Sequence, residues 1–263
     1  EVMDGLHKKL EELSIYGCAV IERRISFDLQ IQLATIDDLV KEDIHGLILS
    51  PYNDPVIQEK IDALWENGIP CITINTDMPD SKRIAYVGSD YHKCGQTAAG
   101  LLHLFSGDYA SVGIVTGSHN VLCHEERISG FTSHLHAKHP NIRIVDVVEN
   151  NDDDYQSYAV VSDLLDRHPD LSALYFTAAG VYGGCRAVLN ATLQRPLKII
   201  TFDAVPSTCE MIQNGIISAT ICQQPDEQGA LSLSLLMDYL LTGKLPENRC
   251  IYMDLSIKIA ENL

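Results

Sequence analysis

The sequence has few positive charges. Its 263 residues include 19 Lys and Arg against 36 Asp and Glu, so the formal net charge is −17. The densest basic run is Arg23-Arg24, directly after Glu22. Binding to DNA requires cations that neutralise phosphates, so these residues are not expected to bind nucleic acid. The acidic excess is typical of a solvated surface, since no acidic run is longer than residues 152–154.

Long apolar runs and paired cysteine motifs are also absent. No segment approaches the roughly 18 consecutive apolar residues of a membrane helix, no signal-peptide pattern is visible, and we expect no membrane partner. Eight cysteines are scattered singly, without a CxxC pair or a Cys/His run of metal-site spacing. Cys71 and Cys222 lie in apolar runs, where a free thiol packs as a small hydrophobe. This cysteine usage predicts a reducing compartment, the cytoplasm.

Catalytic motifs are missing as well. The sequence contains no GxSxG, HExxH, GxxxxGK[ST] or strand-following GxGxxG pattern. Gly113 and Gly117 flank a predicted strand rather than open a phosphate-binding turn. His119 and His124 lie near Glu125, but a polar loop leading into a helix explains them better than a metal or general-base site. We therefore expect no enzyme activity, no cofactor and no metal.

Short apolar runs alternate with amphipathic stretches along the chain. The apolar runs predict strands at residues 16–21, 44–49, 69–74, 85–88, 111–116, 142–148, 173–176, 198–202 and 219–222. Apolar residues at three- and four-residue spacing predict helices that include residues 30–40, 56–66, 95–105, 155–166, 181–193 and 228–241. Continuous apolar strands between helices indicate parallel sheets covered on both faces. The predicted fold class is α/β, doubly wound.

The beginning of the sequence departs from that pattern. Residues 1–13 predict a helix with an apolar stripe, whereas a doubly wound domain normally opens with a central strand. The loss of a central strand would leave two unpaired strand edges. We therefore expect the natural protein to carry a first strand upstream of Glu1.

Polar side chains recur where predicted strands end. In open α/β sheets, ligands bind outside the carboxyl ends of the strands, and short polar side chains there can bind hydroxyl groups. Each residue alone could instead be a helix cap or a turn residue, but their recurrence favours a binding site. The strand-end groups are Asn75, residues 120–125 beginning with Asn120, residues 178–180, Asp203, and Gln223 with Gln224.

An ordered set of segments carries a family resemblance. They are VKEDIHGLILSPYND (40–54), GIPCITINTDMP (68–79), RIAYVGSDYHKCGQTAAGLL (83–102), HEERISGF (124–131), ALYFTAAGVYGGCRAVL (173–189), KIITFDAVPST (198–208) and ISATICQQPDEQGALSLSLLMDYL (217–240). Together they resemble the ligand-sensing domain of LacI/GalR-type transcription regulators. That domain has the type I periplasmic-binding-protein-like fold and is related to ribose-binding proteins. Each segment alone is unspecific, whereas their order is specific and spans nearly the whole chain.

The resemblance implies a set of ligand-binding positions. Asn75 matches the hydrogen-bonding residue of the first lobe, Asp203 the acid that holds ligand hydroxyls in the second, and Gln223 the polar residue beside the hinge. Glu125 stands where sugar-binding relatives commonly place an arginine, and Ala179 where an asparagine is frequent. These two departures put a plain pentose or galactoside ligand in doubt, because a carboxylate lacks the donor fork of a guanidinium.

The resemblance also implies an architecture and a function. We expect two doubly wound parallel-sheet lobes joined by a three-crossing hinge, with lobe one at 1–107 and 224–252, lobe two at 108–223 and 253–263, and a ligand cleft between them. The implied function is that of a cytoplasmic, homodimeric repressor's effector domain. It would bind a sugar-like molecule and reach DNA only through an N-terminal helix-turn-helix absent from this chain. The alternative is an extracytoplasmic solute-binding protein of a sugar ABC transporter or sensor system.

Overall fold

A computed structural model describes residues 1–25, 28–119, 121–193 and 195–263. The helices are α1 Val2–Leu13, α2 Leu29–Lys41, α3 Pro55–Glu66, α4 Tyr91–Ser106, α5 Leu122–Lys138, α6 Asp154–Arg167, α7 Val181–Asn190, α8 Pro206–Gln213 and α9 Pro225–Thr242. The strands are β1 Leu47–Leu49, β2 Cys71–Ile74, β3 Ala85–Gly88, β4 Ala110–Thr116, β5 Ile142–Glu149, β6 Ala173–Phe176, β7 Lys198–Phe202, β8 Ala219–Cys222, β9 Cys250–Tyr252 and β10 Ser256–Lys258. None of these helices is long and apolar enough to cross a membrane.

The chain divides into two compact units. Unit 1 comprises Glu1–Ser89 and Gln224–Asp254, and unit 2 comprises Asp90–Gln223 and Leu255–Leu263. The chain therefore passes between the units three times. The predicted first boundary, after residue 107, lies at the end of α4, whereas unit 1 ends at Ser89. The difference arises because α4 packs against α5 and so belongs to unit 2.

Unit 1 is built on a four-stranded parallel sheet in the order β1-β2-β3-β9. Ile57 and Ile61 of α3 are fully buried in a core cluster with β1 and β2 residues, as is Ile36 of α2. Leu236 of α9 packs in a second cluster with Ile72 of β2. The sheet is thus covered by helices, as its continuous apolar strands predict.

The predicted strand at residues 16–21 is not formed. Ser14–Tyr16 forms a single 3-10 turn that ends at Gly17 with φ 70°, and residues 18–25 belong to no strand ladder. Cys18 and Val20 are half-buried while Ala19 and Ile21 are exposed, which is the two-residue alternation of a strand. Among the described residues no strand lies beside this segment to complete a ladder.

Unit 2 is built on a six-stranded sheet in the order β10-β8-β7-β6-β4-β5, in which only β10 runs antiparallel. Helices α4 and α5 approach each other closely at two glycines. A Cβ on Gly95 would lie 2.0 Å from the carbonyl oxygen of Arg127, and one on Gly130 would lie 1.9 Å from that of His92. Glycine at both positions lets the two helix backbones touch, which fixes α5 behind the sheet.

Helix starts explain several acidic residues of the sequence. Asp54 accepts a hydrogen bond from the Val56 amide and caps α3, and Asp90 accepts one from Lys93 N at 2.9 Å and caps α4. Such N-cap bonds satisfy amide groups that have no partner inside the helix. Asp90 is also the first residue of unit 2, so the first crossing occurs at a helix cap.

Candidate functional site

Asp203 and Gln223 lie together at one edge of the unit 2 sheet. They directly follow β7 and β8, which are parallel neighbours. Gln223 Nε2 donates to Asp203 Oδ1 at 3.0 Å, and Asp203 N donates to the Ile221 carbonyl at 3.0 Å. Thr220 Oγ1 donates to the Asp203 carbonyl at 2.9 Å. The two predicted site residues are therefore hydrogen-bonded to each other, and the Asp203 carboxylate is held at the carboxyl end of the strands.

A buried arginine stands behind this pair. Arg127 on α5 is only 6% exposed. Its Nη2 donates to Gln223 Oε1 at 2.9 Å, and its Nη1 donates to the Thr177 carbonyl. Its guanidinium carbon lies 3.9 Å from the ring centroid of Phe202, a cation–π distance, while its Nε has no hydrogen-bond partner among the described atoms. Hydrogen bonds thus connect Arg127 to Gln223 and Gln223 to Asp203. The bond from Arg127 orients the Gln223 amide.

Sequence reasoning missed Arg127, although a signal was present. Arg127, Phe131 and Leu135 follow one another at four-residue spacing in α5 and all three are buried. Residues at this spacing share one face of a helix. An arginine on the same face as two core hydrophobes is a buried arginine, and buried charges need specific partners.

Backbone groups replace a side chain at the Ala179 position. Ala179 is exposed after β6, its N donates to Asp152 Oδ1 at 3.0 Å, and its carbonyl accepts from Asn150 Nδ2 at 2.8 Å. Asn150 is fully buried and its Oδ1 also accepts from Asp152 N at 2.9 Å. The loop after β5 therefore holds the loop after β6 in place through these hydrogen bonds. The polar groups at this strand end come from Asn150 and Asp152 of the loop after β5 rather than from a side chain at position 179.

Glu125 lies in the first turn of α5, where its carboxylate pairs with His119 Nδ1. His119 N also donates to Glu149 Oε1 at 2.6 Å, so two carboxylates meet one histidine at the ends of β4 and β5. His124 is buried, with Nδ1 3.3 Å from Ser118 N, and burial lowers its pKa. Asn120 lies outside the described residues. Within the described ranges, no group of three or more His, Cys, Asp or Glu could hold a metal ion.

Asn75 occupies the matching strand-end position in unit 1. It directly follows β2, and its φ of 63° is close to the 64° of Asp203 after β7. Asn75 N donates to the Val87 carbonyl at 3.3 Å, and the Tyr86 hydroxyl lies 3.0 Å from the Asn75 carbonyl oxygen. Asn and Asp adopt this left-handed conformation more readily than other non-glycine residues. The turn itself therefore favours these residue types, in addition to any role in binding.

The chain belongs to the periplasmic binding protein domain family, whose family model matches residues 1–245. It is 26% identical over 241 residues to the ribose import binding protein RbsB of Bacillus subtilis, covering 91% of this chain and 77% of that protein. It is 25% identical over 227 residues to the D-allose-binding periplasmic protein of Escherichia coli, covering 83% and 73%.

Solved structures show the same fold. GanP, a glucose-galactose binding protein from Geobacillus stearothermophilus, superposes with a TM-score of 0.89 at 26% identity over 100% of this chain and 92% of that chain. The XylFII-LytSN complex gives a TM-score of 0.87 at 29% identity over 100% and 93%. These likenesses confirm the predicted two-lobe α/β fold of the type I periplasmic binding proteins.

The expected function as a LacI-family transcription regulator is wrong. The relatives are sugar-binding proteins, named for the import of ribose and the binding of allose, and the expected route to DNA through a helix-turn-helix depended on the regulator assignment. The resemblance failed here because its segments describe the ligand-sensing fold, which regulators and solute-binding proteins share.

The expected cytoplasmic location is also wrong, since relatives are named as periplasmic and import proteins. The prediction rested on free cysteines. Burial raises the pKa of Cys71 and Cys185 to about 12 and that of Cys94 to about 11. A buried, protonated thiol is a poor nucleophile. Packing protects these three thiols, so they give no information on the redox state of the compartment.

Proposed function

We propose that this chain is a sugar-binding protein that serves an import or sensing system outside the cytoplasm. The observation that supports this most directly is the family match over residues 1–245, together with relatives named for ribose and allose. On this proposal the chain binds its sugar without transforming it, in keeping with its membership of a family of binding proteins.

The geometry at the ends of β7 and β8 suits a sugar. A carboxylate accepts up to about four hydrogen bonds, and Gln223 occupies one of those positions on Asp203. The remaining positions can accept two adjacent hydroxyl groups of one ring. We therefore assign the main hydroxyl contact to Asp203, with Gln223 as its oriented neighbour. Asn75 is the proposed hydrogen-bonding residue of unit 1.

Glu125 and Ala179 are the proposed selectors among sugars. The Glu125 carboxylate, paired with His119, adds hydrogen-bond acceptors at the start of α5, whereas the guanidinium fork of this helix is that of Arg127. These acceptors favour a ligand that presents hydroxyl donors there. Ala179 has no polar side chain, and its own backbone groups are held by Asn150 and Asp152. A ligand with a larger substituent at that position is therefore accommodated better than in a site with asparagine.

Isothermal titration with D-ribose, D-allose, D-glucose, D-galactose, D-xylose and D-arabinose tests the proposal. We expect at least one sugar to bind and to raise the melting temperature, since a ligand that binds only the folded state stabilises it. Asp203→Gly is the informative variant, because glycine keeps the positive φ of 64° without strain, whereas alanine would disturb the turn.

Asp203→Gly should abolish the heat of binding while the protein stays folded. Asp166→Asn is the matched control, since it removes an exposed carboxylate of α6 in the same unit. It should bind the sugar as the unaltered protein does. Undiminished binding by Asp203→Gly would rule out the proposed site, and the absence of binding by any sugar of the panel would count against a sugar ligand.

The homodimer that the regulator resemblance implies remains a prediction. Light scattering coupled to size-exclusion chromatography, with and without the bound sugar, measures the oligomeric state directly. A monomer in both states would contradict the expectation without affecting the sugar-binding proposal.

A further inference from the structure

Tyr86 places its hydroxyl group between the ends of two neighbouring strands of unit 1. The residue lies within β3 and is only 2% exposed. Its hydroxyl oxygen lies 3.0 Å from the carbonyl oxygen of Asn75 and 3.1 Å from that of Ser89. Asn75 directly follows β2, and Ser89 directly follows β3. Because carbonyl oxygens only accept hydrogen bonds, the hydroxyl is the donor that these two strand ends share.

Gly88 provides the space for this arrangement. Tyr86 and Gly88 are two residues apart in β3 and therefore share one face of the strand. A Cβ on Gly88 would lie 2.2 Å from the Tyr86 hydroxyl oxygen and 2.4 Å from its Cζ. Gly88 is not among the glycines with positive φ, so glycine is required here for space rather than for backbone conformation. It lets the tyrosine ring lie along the strand, toward the carboxyl end.

The backbone turn at Asn75 is of a strained type. Thr76 N donates to the Ile74 carbonyl at 2.7 Å across Asn75, whose φ is 63°. A bond between residues two apart around a positive φ is the pattern of a γ-turn that is rare and strained. Such backbone persists only where the surrounding structure holds it. The bond from Asn75 N to the Val87 carbonyl is long, at 3.3 Å, so the Tyr86 hydroxyl gives the turn support that it needs.

A second set of contacts holds the residues after this turn. The Asp77 carboxylate accepts hydrogen bonds from Arg83 Nε at 2.5 Å, from Arg83 Nη2 at 2.6 Å and from Thr73 Oγ1 at 2.9 Å. Arg83 is itself 2% exposed, and a bidentate pair with a carboxylate has a fixed geometry. The loop after β2 is therefore anchored beyond the turn through Asp77, and in the turn itself through Tyr86.

We infer that Tyr86 is a positioning residue for sugar binding, which acts by fixing the backbone of Asn75. This role rests on the proposed function, in which Asn75 is the hydrogen-bonding residue of unit 1. A turn residue whose carbonyl is held in place presents its side chain at one angle, so less conformational freedom is lost when the sugar binds. Tyr86 makes this contribution from within the sheet, through its hydroxyl group.

Tyr86→Phe is the informative variant, because it removes the hydroxyl and keeps the ring, which packs edge-on against Tyr252 with centroids 6.1 Å apart. The probe is the sugar that binds the unaltered protein most tightly in the titrations. We expect its Kd to rise about fivefold, which corresponds to about 1 kcal/mol for one lost hydrogen bond. Tyr16→Phe is the matched control, since it removes a hydroxyl from an exposed ring of the same unit. Its Kd should be unchanged.

A double-mutant cycle shows whether the effect passes through Asn75. Asn75→Gly keeps the positive φ without strain and removes the side chain proposed to bind the sugar. It should weaken binding by itself, and the further addition of Tyr86→Phe should then change the Kd by less than about twofold. A tyrosine that only stabilised the fold would raise the Kd by the same factor with and without the Asn75 side chain.

Hydrogen exchange followed by NMR gives a second readout, which needs no sugar. Loss of the bond from Tyr86 makes local opening of the turn easier, so Tyr86→Phe should speed exchange of the Asn75 and Thr76 amides about fivefold. Tyr16→Phe should leave both rates unchanged.

Three results would overturn this role. An unchanged sugar Kd in Tyr86→Phe would show that the hydroxyl does not position the site, while the proposed function would stand. Equal factors in the presence and absence of the Asn75 side chain, or unchanged exchange of the turn amides, would show that Tyr86 does not act through the turn. The absence of binding by any sugar to the unaltered protein would instead refute the proposed function itself, and the positioning role with it.

Discussion

Replacement of Arg127 by methionine separates its positioning role from its packing role. Methionine keeps an unbranched apolar stem that can pack against Phe202 but offers no hydrogen-bond donor. The Thr177 carbonyl and Gln223 Oε1 each lose a bond to a charged group, worth about 1.5–3 kcal/mol apiece. Removal of a buried charge relieves several kcal/mol of desolvation. The free energy of unfolding is therefore expected to fall by only about 1–3 kcal/mol, measured by urea denaturation.

Sugar affinity should respond more strongly than stability. Without Arg127, the Gln223 amide oxygen loses the donor that holds it, so the orientation of the amide beside Asp203 is held less firmly. A rotated amide would place its oxygen against the carboxylate. We expect the Kd for the sugar to rise at least about tenfold, which corresponds to about 1.4 kcal/mol. Arg186→Met removes an exposed arginine of α7 in the same unit. Its stability should stay within about 0.5 kcal/mol of the unaltered protein, with an unchanged Kd.

Arg127→Lys gives a further test of the fork geometry. An ammonium group keeps the charge but cannot hold two acceptors in the fixed arrangement of a guanidinium, so we expect a Kd between those of the unaltered and methionine proteins. A positioning role for Arg127 is refuted if Arg127→Met loses stability yet binds the sugar with unchanged affinity, since Arg127 would then support only the core.

Two further predictions concern unit 2. Gly95→Ala should destabilise the protein by more than about 3 kcal/mol or prevent its accumulation, because the added Cβ would overlap the backbone of α5. Gly100→Ala is the matched control on the same helix, since its Cβ would enter open space. It should stabilise the protein by up to about 1 kcal/mol. The pKa of His139 is lowered, mainly by burial and next by the nearby His103 and His134 rings. The His139 and His103 rings are stacked, with their centroids 3.8 Å apart. Folding therefore disfavours the protonated ring, so the stability contributed by neutral His139 is fully present above about pH 6.5 and is lost as the pH falls below it. The urea midpoint of His139→Gln should fall less steeply with decreasing pH than that of the unaltered protein. Equal slopes of the two proteins would contradict this prediction.

Much of the sheet structure could be predicted because buried parallel strands are continuous apolar runs. The predicted strands at 85–88, 173–176, 198–202 and 219–222 have the bounds found in the structure. β9 and β10 were missed, since three-residue strands at sheet edges have alternating or polar residues and form through their neighbours. The strand predicted at 16–21 has the required pattern but pairs with no strand among the described residues, and a strand needs a ladder as well as a propensity.

The candidate site was predictable only in part. The proximity of Asp203 and Gln223 could be predicted because parallel strands bring their carboxyl ends to one edge, and the two side chains share a hydrogen bond in the structure. Arg127 and Asn150 act from behind that edge, through contacts between residues distant in the sequence. Such contacts depend on how α5 and the β5 loop pack, which local patterns do not specify.

The last strands of the chain have a consequence for its synthesis. β9 is the edge strand of the unit 1 sheet and β10 the edge strand of the unit 2 sheet, and only residues 253–255 separate them. Each sheet stays incomplete until its own edge strand, β9 or β10, has left the ribosome. A chain that stops before Cys250 would leave β3 and β8 as new exposed edges, and exposed edges pair with other chains. Loss of the chain from Cys250 onward should therefore convert both units at once into aggregation-prone species.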